Sequence, residues 1–373
     1  MKIDLQSIDT TQFMMHQHLL NGEVLWLVQP QHIGCKWTQA NKHLRSSLWN
    51  NNGELVSAGF PKFTNWGENP ENFPVPSSLK NTVITEKLDG SLLIVSKYKG
   101  NYIVRTRGTS DASHLDNGAE LEIFKQTILP KLVKQMEGFV PGTPENDTWG
   151  FSWLFEWVSP KQKIILNYGE QPDWYLVGII EHLDYVLVYQ AELDDKAKEL
   201  GLKRPVTYAF PTVEELLANV DTWKGKEGVC VYSKDGQQIH KVKCAWYLAL
   251  HRMKEALSSV DKVIDTWFSN GEPDYQTFEK IITDQFDFEL WQQCRGDASR
   301  ICDGAKEVAK IVEGMRVFLK EQVLPMPTRK LQAVVITQSY GKTNRASFLF
   351  KLLDGRPLEV DDRKKLLYQV LKK

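Results

Sequence analysis

The sequence predicts an α+β protein, with an antiparallel-sheet core over residues 1–245 followed by an all-helical domain over residues 246–373. Three observations lead there. Up to Cys244 the apolar residues come in short runs closed by glycine, asparagine or proline, as strands joined by turns require. From Trp246 they recur at three- and four-residue intervals (Trp246, Leu250, Met253, Leu257, Val260, Ile264, Trp267), as on an amphipathic helix. Past that point no run of strands with tight turns is visible, which argues against a five-stranded barrel as the second domain.

The chain of 373 residues is long enough for two or three domains, each with its own core. Hydrophobic residues make up 42% and charged residues 25%, ordinary for a soluble globular protein. A net charge of -1 excludes a uniformly basic nucleic-acid coat, so any nucleic-acid site must be a local patch. The five cysteines (Cys35, Cys230, Cys244, Cys294, Cys302) form no Cys-x-x-Cys pair. They read as free thiols in a reducing compartment, without structural zinc or a disulfide framework. Asp4, Asp9 and the lack of a long apolar run give no sign of a signal peptide, transit peptide or membrane span. The expected location is the cytoplasm.

Taken in order, Val24–Val28 lies between Asn21-Gly22 and Pro30 and reads as a short buried strand. Leu44–Trp49, the turn Asn50–Gly53 and Leu55–Ala58 read as a hairpin. Next, Val83-Ile84 and Leu92–Val95 flank the polar stretch Glu86-Lys87-Leu88-Asp89-Gly90-Ser91. A lysine between apolar strands is partly desolvated, which lowers its pKa and leaves more neutral amine to attack electrophiles. Gly90 would let the backbone turn sharply and come close to a phosphate. In the strand Tyr102–Thr109, Arg105 and Arg107 share a face that points at a phosphate or at solvent. Leu121–Met136 is helical, divided by Pro130, and a loop follows at Pro141–Thr148.

Glu156 stands among aromatics in Trp153-Leu154-Phe155-Glu156-Trp157, where its charge needs a cation or a hydroxyl; a ribose or a divalent metal would serve. Trp174–Ile180 is apolar throughout and should be central in a sheet. Glu227-Gly228 opens another strand, and Lys241 and Lys243, two apart, project from one face of the next. Two adjacent ammonium groups repel, so a polyanion such as a triphosphate explains them best; they would also depress the pKa of Lys87. Ile301, Ala305, Val308, Val312, Met315 and Leu319 mark a further helix, stopped by Pro325 and Pro327. From residue 306 to 373 there are fifteen Lys/Arg against seven Asp/Glu, an excess that could attract an RNA backbone. Singly, each feature has a plainer alternative. Lys87 could be a solvated turn residue, Glu156 an edge-strand carboxylate facing water, Arg45, Lys62 and the lysine pair solvated charges, and the basic excess a solvated helical surface.

The pattern Lys87-x-Asp89-Gly90 resembles the active-site signature of the covalent nucleotidyltransferases: ATP-dependent DNA ligases, RNA ligases and mRNA capping enzymes. Arg45, Lys62-Phe63 and Asn65-x-x-Glu68-Asn69 resemble the region upstream of the lysine in phage T4-type RNA ligase 1, with Arg45-Ser46 in place of the usual Arg-Gly. Arg105-x-Arg107-Gly108-Thr109 is similar to its basic-x-basic-Gly-Ser element, and Phe155-Glu156-Trp157 to its Phe-Glu-Phe motif. Ile164-Ile165-Leu166-Asn167-Tyr168 is similar to Ile-Val-Leu-x-Tyr. Glu227-Gly228 and Lys241-x-Lys243-x-x-Trp246-Tyr247, continued by Leu248–His251, resemble the last two motifs. The likeness covers roughly residues 40 to 251, and its ordered parts are together specific.

This resemblance implies a nucleotidyltransferase (adenylyltransferase) core and a helical C-terminal domain with an RNA-binding or specificity role. It implies an ATP-dependent RNA ligase in RNA repair: Lys87 becomes lysyl-AMP, AMP passes to an RNA 5'-phosphate, and a 3'-hydroxyl displaces it. By the same resemblance Glu86, Arg45, Lys62, Arg107, Glu156, Glu227, Lys241 and Lys243 would contact ATP. Asp89 would orient Lys87 or hold metal-bound water. Asp89, Glu156 and Glu227 would hold Mg²⁺, or Mn²⁺ in its place, and Tyr247 would handle the RNA ends. The implied partner is RNA with 5'-phosphate and 3'-hydroxyl ends, nicked tRNA included, with no membrane, a monomeric protein and, for a viral protein, the host cytoplasm. A DNA ligase or capping enzyme, a catalytically silent RNA-binding relative and a purely structural protein remain as alternatives.

Overall fold

The computed structural model describes residues 1–31, 35–136, 148–285, 288–341, 343 and 345–372. All but the last residue of the expected Pro141–Thr148 loop lies outside them. The chain divides into two compact units, Met1–Leu248 and Ala249–Lys373, shortly after the expected boundary.

In the first unit β1 (Phe13–Leu20), β2 (Glu23–Pro30), β3 (Ser47–Asn50) and β4 (Leu55–Ala58) form a four-stranded antiparallel sheet in sequence order. Asn21 and Gly22 both have positive φ (48° and 83°), the geometry of a two-residue hairpin whose twist matches its strands. Strand β1 had no sequence signal, because it is a half-exposed edge without clean alternation. The expected strand Leu44–Trp49 begins only at Ser47, since Lys42–Arg45 closes a 3-10 turn.

The chain continues through β5 (Thr64–Asn65), β6 (Thr82–Lys87), β7 (Ser91–Tyr98) and β8 (Asn101–Thr106). Helices α1 (Leu121–Thr127) and α2 (Leu129–Met136) follow, then β9 (Phe151–Val158), β10 (Asp173–Glu181), β11 (Val186–Leu187), α3 (Gln190–Leu200), β12 (Thr207–Tyr208), α4 (Val213–Asp221), β13 (Gly228–Ser233) and β14 (Ile239–Lys243). These strands make two five-stranded sheets, ordered β11-β10-β9-β7-β8 and β12-β6-β13-β14-β5. Pairing is antiparallel except between β14 and β5. β10 is interior, as its apolar sequence requires. The α1/α2 break falls at Ile128, two residues before Pro130.

Strands β6 and β7 lie in different sheets, so Glu86–Ser91 is a crossover between sheets and not a hairpin turn. That crossover sets Lys87 in a cleft. Trp49, Ile94, Leu154 and Ile180 pack in a core common to the first two sheets. Phe124, Leu132 and Leu193 of α1 to α3 cover Phe155, Trp157 and Trp174. Leu216 and Val220 of α4 lie on Val229, Val231 and Val242 of the third sheet.

The division between units falls inside α5 (Ala245–Ala256). The second unit continues with α6 (Val260–Ser269), α7 (Tyr275–Gln285), α8 (Phe288–Phe318), α9 (Arg329–Tyr340), α10 (Ala346–Leu353) and α11 (Val360–Leu371). The single period expected over Trp246–Trp267 is two helices, because Ser259 leaves the helical conformation and its side chain caps α6. A π turn at Leu319–Val323 ends α8 before Pro325, as expected. Much of the basic excess is paired, through Lys351–Asp362, Arg363–Glu272 and Lys364–Asp265 among others. Among the described residues no helix is long and apolar enough to cross a membrane.

Candidate active site

Strand register brings the distant motifs together. Lys87, the last residue of β6, stands opposite Gly228 on β13, and Gly228 stands opposite Lys243 on β14. Residues level with one another in adjacent strands share a face, and Lys241 shares it at a spacing of two. Gly228 has no side chain to fill the space between the two lysines. The carboxylate of its neighbour Glu227 occupies that space, accepting from Lys87 Nζ at 2.7 Å and pairing with Lys243 Nζ at 2.9 Å. Glu227 is only 2% exposed.

A Cβ at position 228 would lie 2.0 Å from the Val242 carbonyl oxygen, at a φ of +147° that L-residues avoid. Gly228→Ala should therefore cost about 3 kcal/mol or more through overpacking and strain. Thermal unfolding would register this as a clear fall in midpoint, and an unchanged midpoint would contradict the register.

This arrangement corrects the expected electrostatics of Lys87. Burial opposes its charge, but the Glu227 carboxylate, with Glu156 behind it, outweighs burial and raises its pKa above the ordinary lysine value. Lys87 rests as an ammonium ion. The depressed amine is Lys241, pushed down to about 8 by burial and then by Lys243, Arg45 and Lys87. The fully charged cluster is thus disfavoured below pH 8, and the penalty is relieved as pH rises from about 8 towards the unfolded value near 10.5. A bound polyanion reverses the balance and recharges Lys241. ATP binding at pH 8–9 should then take up a proton, seen as a dependence of calorimetric heat on buffer ionisation enthalpy that Lys241→Met abolishes.

Glu156 sits mid-sheet, since β9 lies between β10 and β7, so it is no edge residue. It accepts from the Gly90 amide at 3.0 Å. Burial pushes its pKa up to about 7, against the pull of Lys87 and with the push of Glu227. Gly90 is sterically required, because a Cβ there would lie 2.5 Å from the Trp157 carbonyl oxygen.

A cavity of about 430 Å³ opens beside Lys87, lined by Arg45, Arg107, Glu86, Glu156 and apolar side chains including Phe63 and Val177. Its size and its mix of apolar walls with a few charged groups suit a nucleotide. Arg45 lies 4.5 Å from the Phe63 ring centroid, its pKa lowered to about 10 by burial and by Arg107. Glu86 is fixed by the Tyr208 hydroxyl at 2.9 Å and by Lys226 at 3.3 Å.

Other expected residues have surroundings that the sequence did not show. Lys62 pairs with Glu68 at 3.4 Å and faces the Trp37 ring; like Glu227, Lys241 and Lys243 it is outside the residues that line the cavity, and its charge reaches Lys241. Arg105 and Arg107 do not share a face: β8 ends at Thr106, Arg105 is fully buried, and Arg107 lies beyond the strand on the cavity wall. Asp89 is buried and accepts from Tyr247 Oη (2.6 Å) and from the Ile165 and Leu166 amides (2.7 and 2.8 Å), while its own amide donates to Tyr168 Oη at 2.8 Å. Asp89 therefore anchors the crossover to the Ile164–Tyr168 stretch. Tyr247 is 2% exposed and gives its hydroxyl to Asp89. Tyr168, whose motif is visible in the sequence, is brought to the site by the hydrogen bond from the Asp89 amide.

The three carboxylates expected to hold metal lie close enough for Glu227 and Asp89 to raise the Glu156 pKa, but each is engaged by the protein. Asp89 is committed to the backbone and Tyr247, Glu227 to two lysines and Glu156 to Gly90. Among the described residues no group of three His, Cys, Asp or Glu could cage a cation. As placed, these side chains offer no ready-made cage for a metal ion.

A family model described as RNA ligase, of the T4 RNA ligase 1 type, matches residues 41–255. An Autographa californica nuclear polyhedrosis virus protein whose assigned name is bifunctional polynucleotide kinase/RNA ligase is 28% identical over 232 residues, 59% of this chain and 32% of its own length. A Thermovibrio ammonificans protein with the assigned name RNA ligase is 24% identical over 240 residues, 63% of this chain and 56% of its own. The chain thus spans about a third and just over half of these relatives. Similar solved structures include an archaeal ATP-dependent RNA ligase (TM-score 0.47, 14% identity, 78% of this chain and 76% of that one). A Naegleria gruberi RNA ligase variant with ATP and Mn gives a TM-score of 0.42 at 15% identity, over 65% and 81% of the two chains.

Proposed function

This chain belongs to the RNA ligase family matched over its residues 41–255, and from that premise we propose that it is an ATP-dependent RNA ligase working through lysyl-AMP at Lys87. The observation that carries the reading is a lysine on the wall of a nucleotide-sized cavity, its ammonium held 2.7 Å from a buried carboxylate. In the first step Lys87 Nζ, its proton passed to Glu227 Oε2, bonds to the α-phosphorus as the bond to the bridging oxygen breaks and pyrophosphate leaves. Arg45, Arg107, Lys241 and Lys243 offset the phosphate charge; such chemistry depends mostly on positioning and charge. Mg²⁺ or Mn²⁺ belongs in this reading to the nucleotide substrate, carried on its phosphates and water. The Glu156 carboxylate is available to the ribose.

AMP then moves to an RNA 5'-phosphate, making a 5'-5' pyrophosphate, and a 3'-hydroxyl attacks that phosphate and expels AMP. RNA with such ends, nicked tRNA included, is the proposed substrate. The helical unit, with its basic excess, is the proposed RNA-contacting part of a monomeric cytoplasmic protein.

The test is incubation with ATP labelled at the α-phosphate, followed by RNA bearing a 5'-phosphate and a 3'-hydroxyl. Label should appear on the protein, move to RNA as an adenylated end, and leave as AMP when the strand is joined. A protein that takes no label from ATP in Mg²⁺ or Mn²⁺ is not this enzyme. Labelling from GTP, or joining of DNA alone, would point to a capping enzyme or a DNA ligase.

A further inference from the structure

Among the described residues Arg105 is a charge with no carboxylate partner. It is fully buried, and no carboxylate is among the groups that act on its charge. Each of its five N–H bonds has an acceptor. Nε donates to Ser57 Oγ at 2.8 Å, one terminal nitrogen to Ser46 Oγ (3.0 Å) and the Thr106 carbonyl (3.1 Å), and the other to the carbonyls of Ser46 (3.1 Å) and Ser57 (3.0 Å). Taking a guanidinium out of water without a counter-ion is expensive, and burial lowers its pKa to about 10. What offsets the cost is the rigid fork of donors, which fixes three backbone segments against one another.

Two of those segments carry the arginines of the cavity. Ser46 follows Arg45, and Thr106 precedes Arg107. Ser46 Oγ, held by Arg105, in turn donates to the Arg107 carbonyl at 3.0 Å. Ser46 O also accepts from the Gly59 amide at 2.8 Å, so the junction is tied to the end of β4 as well. Arg45 and Arg107 repel each other. Without a brace, two like charges on separate segments would move apart.

We propose that Arg105 is a positioning residue, whose buried guanidinium locks the segments bearing Arg45 and Arg107 so that both side chains meet the phosphates of one bound nucleotide. This rests on the ligase reading above. Arg105 touches no substrate and acts only through its two neighbours, so its loss should weaken the grip on phosphate and spare the grip on the nucleoside.

The test measures binding of the non-cleavable α,β-methylene analogue of ATP, and of adenosine, by calorimetry on the whole protein. Arg105→Lys keeps the charge but cannot make five directed bonds. The analogue should bind about tenfold more weakly, with adenosine unchanged to within about twofold. Ser46→Ala removes only the hydroxyl relay to Arg107, and should show the same selectivity at about threefold; it carries the test should Arg105→Lys fail to fold. In an Arg107→Ala background the effect of Arg105→Lys should shrink, since the two share one interaction. Equal losses for analogue and adenosine, unchanged affinities, or independent effects in the double variant would each overturn the proposal. If the wild-type protein does not bind the analogue, the ligase reading falls, and this inference with it.

Discussion

Lys87→Ala should abolish covalent labelling by α-labelled ATP, a loss of at least about 10³-fold, with the fold intact. The outcome is informative because charge alone favours another residue. With its pKa near 8, Lys241 is about one quarter neutral at pH 7.5, whereas Lys87 is almost wholly an ammonium ion. If the supply of neutral amine chose the nucleophile, Lys241 would carry the AMP. Position argues the other way: Lys87 is on the cavity wall and Lys241 is not, and a reacting atom must be aimed at phosphorus before its protonation matters. Mass mapping of the adduct decides between them. Label on Lys241, or label surviving in Lys87→Ala, would remove Lys87 from its role. Lys87→Arg sharpens the test, since it keeps a cation near Glu227 and should be equally inactive.

How far the sequence could be read depended on distance along the chain. Lys87, Asp89 and Gly90 are contiguous, so their motif was visible, and short apolar runs such as Leu92–Val95 and Trp174–Ile180 gave their strands directly. The helical unit was legible because a 3.6-residue period and stopping prolines are local signals. What failed needed register. Lys241 and Lys243 were rightly sent towards Lys87, but a carboxylate between them depends on Gly228 lying level with both Lys87 and Lys243. Missing that reversed the sign of the Lys87 shift. Arg105 and Arg107 look equivalent in sequence; the end of β8 at Thr106 makes one a buried brace and the other a cavity wall. Tyr247 carries a motif tyrosine's position, yet its burial against Asp89 is a tertiary fact.

Glu227→Ala is expected to slow adduct formation by about 10²-fold, the usual worth of a positioned proton acceptor. Two effects compete. Losing the carboxylate removes the largest influence that raises the Lys87 pKa, so burial and the neighbouring lysines then enlarge the share of neutral amine. It also removes the nearest acceptor for the departing proton, at 2.7 Å, and the anchor that aims both lysines. The second effect should win, because a neutral amine that is free to swing has lost the alignment on which attack depends. The pH profile separates the two. In the wild-type protein the rate should climb steeply through the alkaline range as the paired ammonium yields its proton; in the variant the climb should begin at lower pH and flatten early.

Stability follows the same linkage. The raised Lys87 pKa contributes to stability fully below about 10.5 and is lost as pH rises through the folded value, so at neutral pH the variant forfeits the share that Glu227 supplies. The loss should stay below the about 3–5 kcal/mol typical of orphaning a buried charge, because Lys87 can shed its proton instead. Faster labelling in Glu227→Ala would mean that the carboxylate restrains the nucleophile and does not serve it.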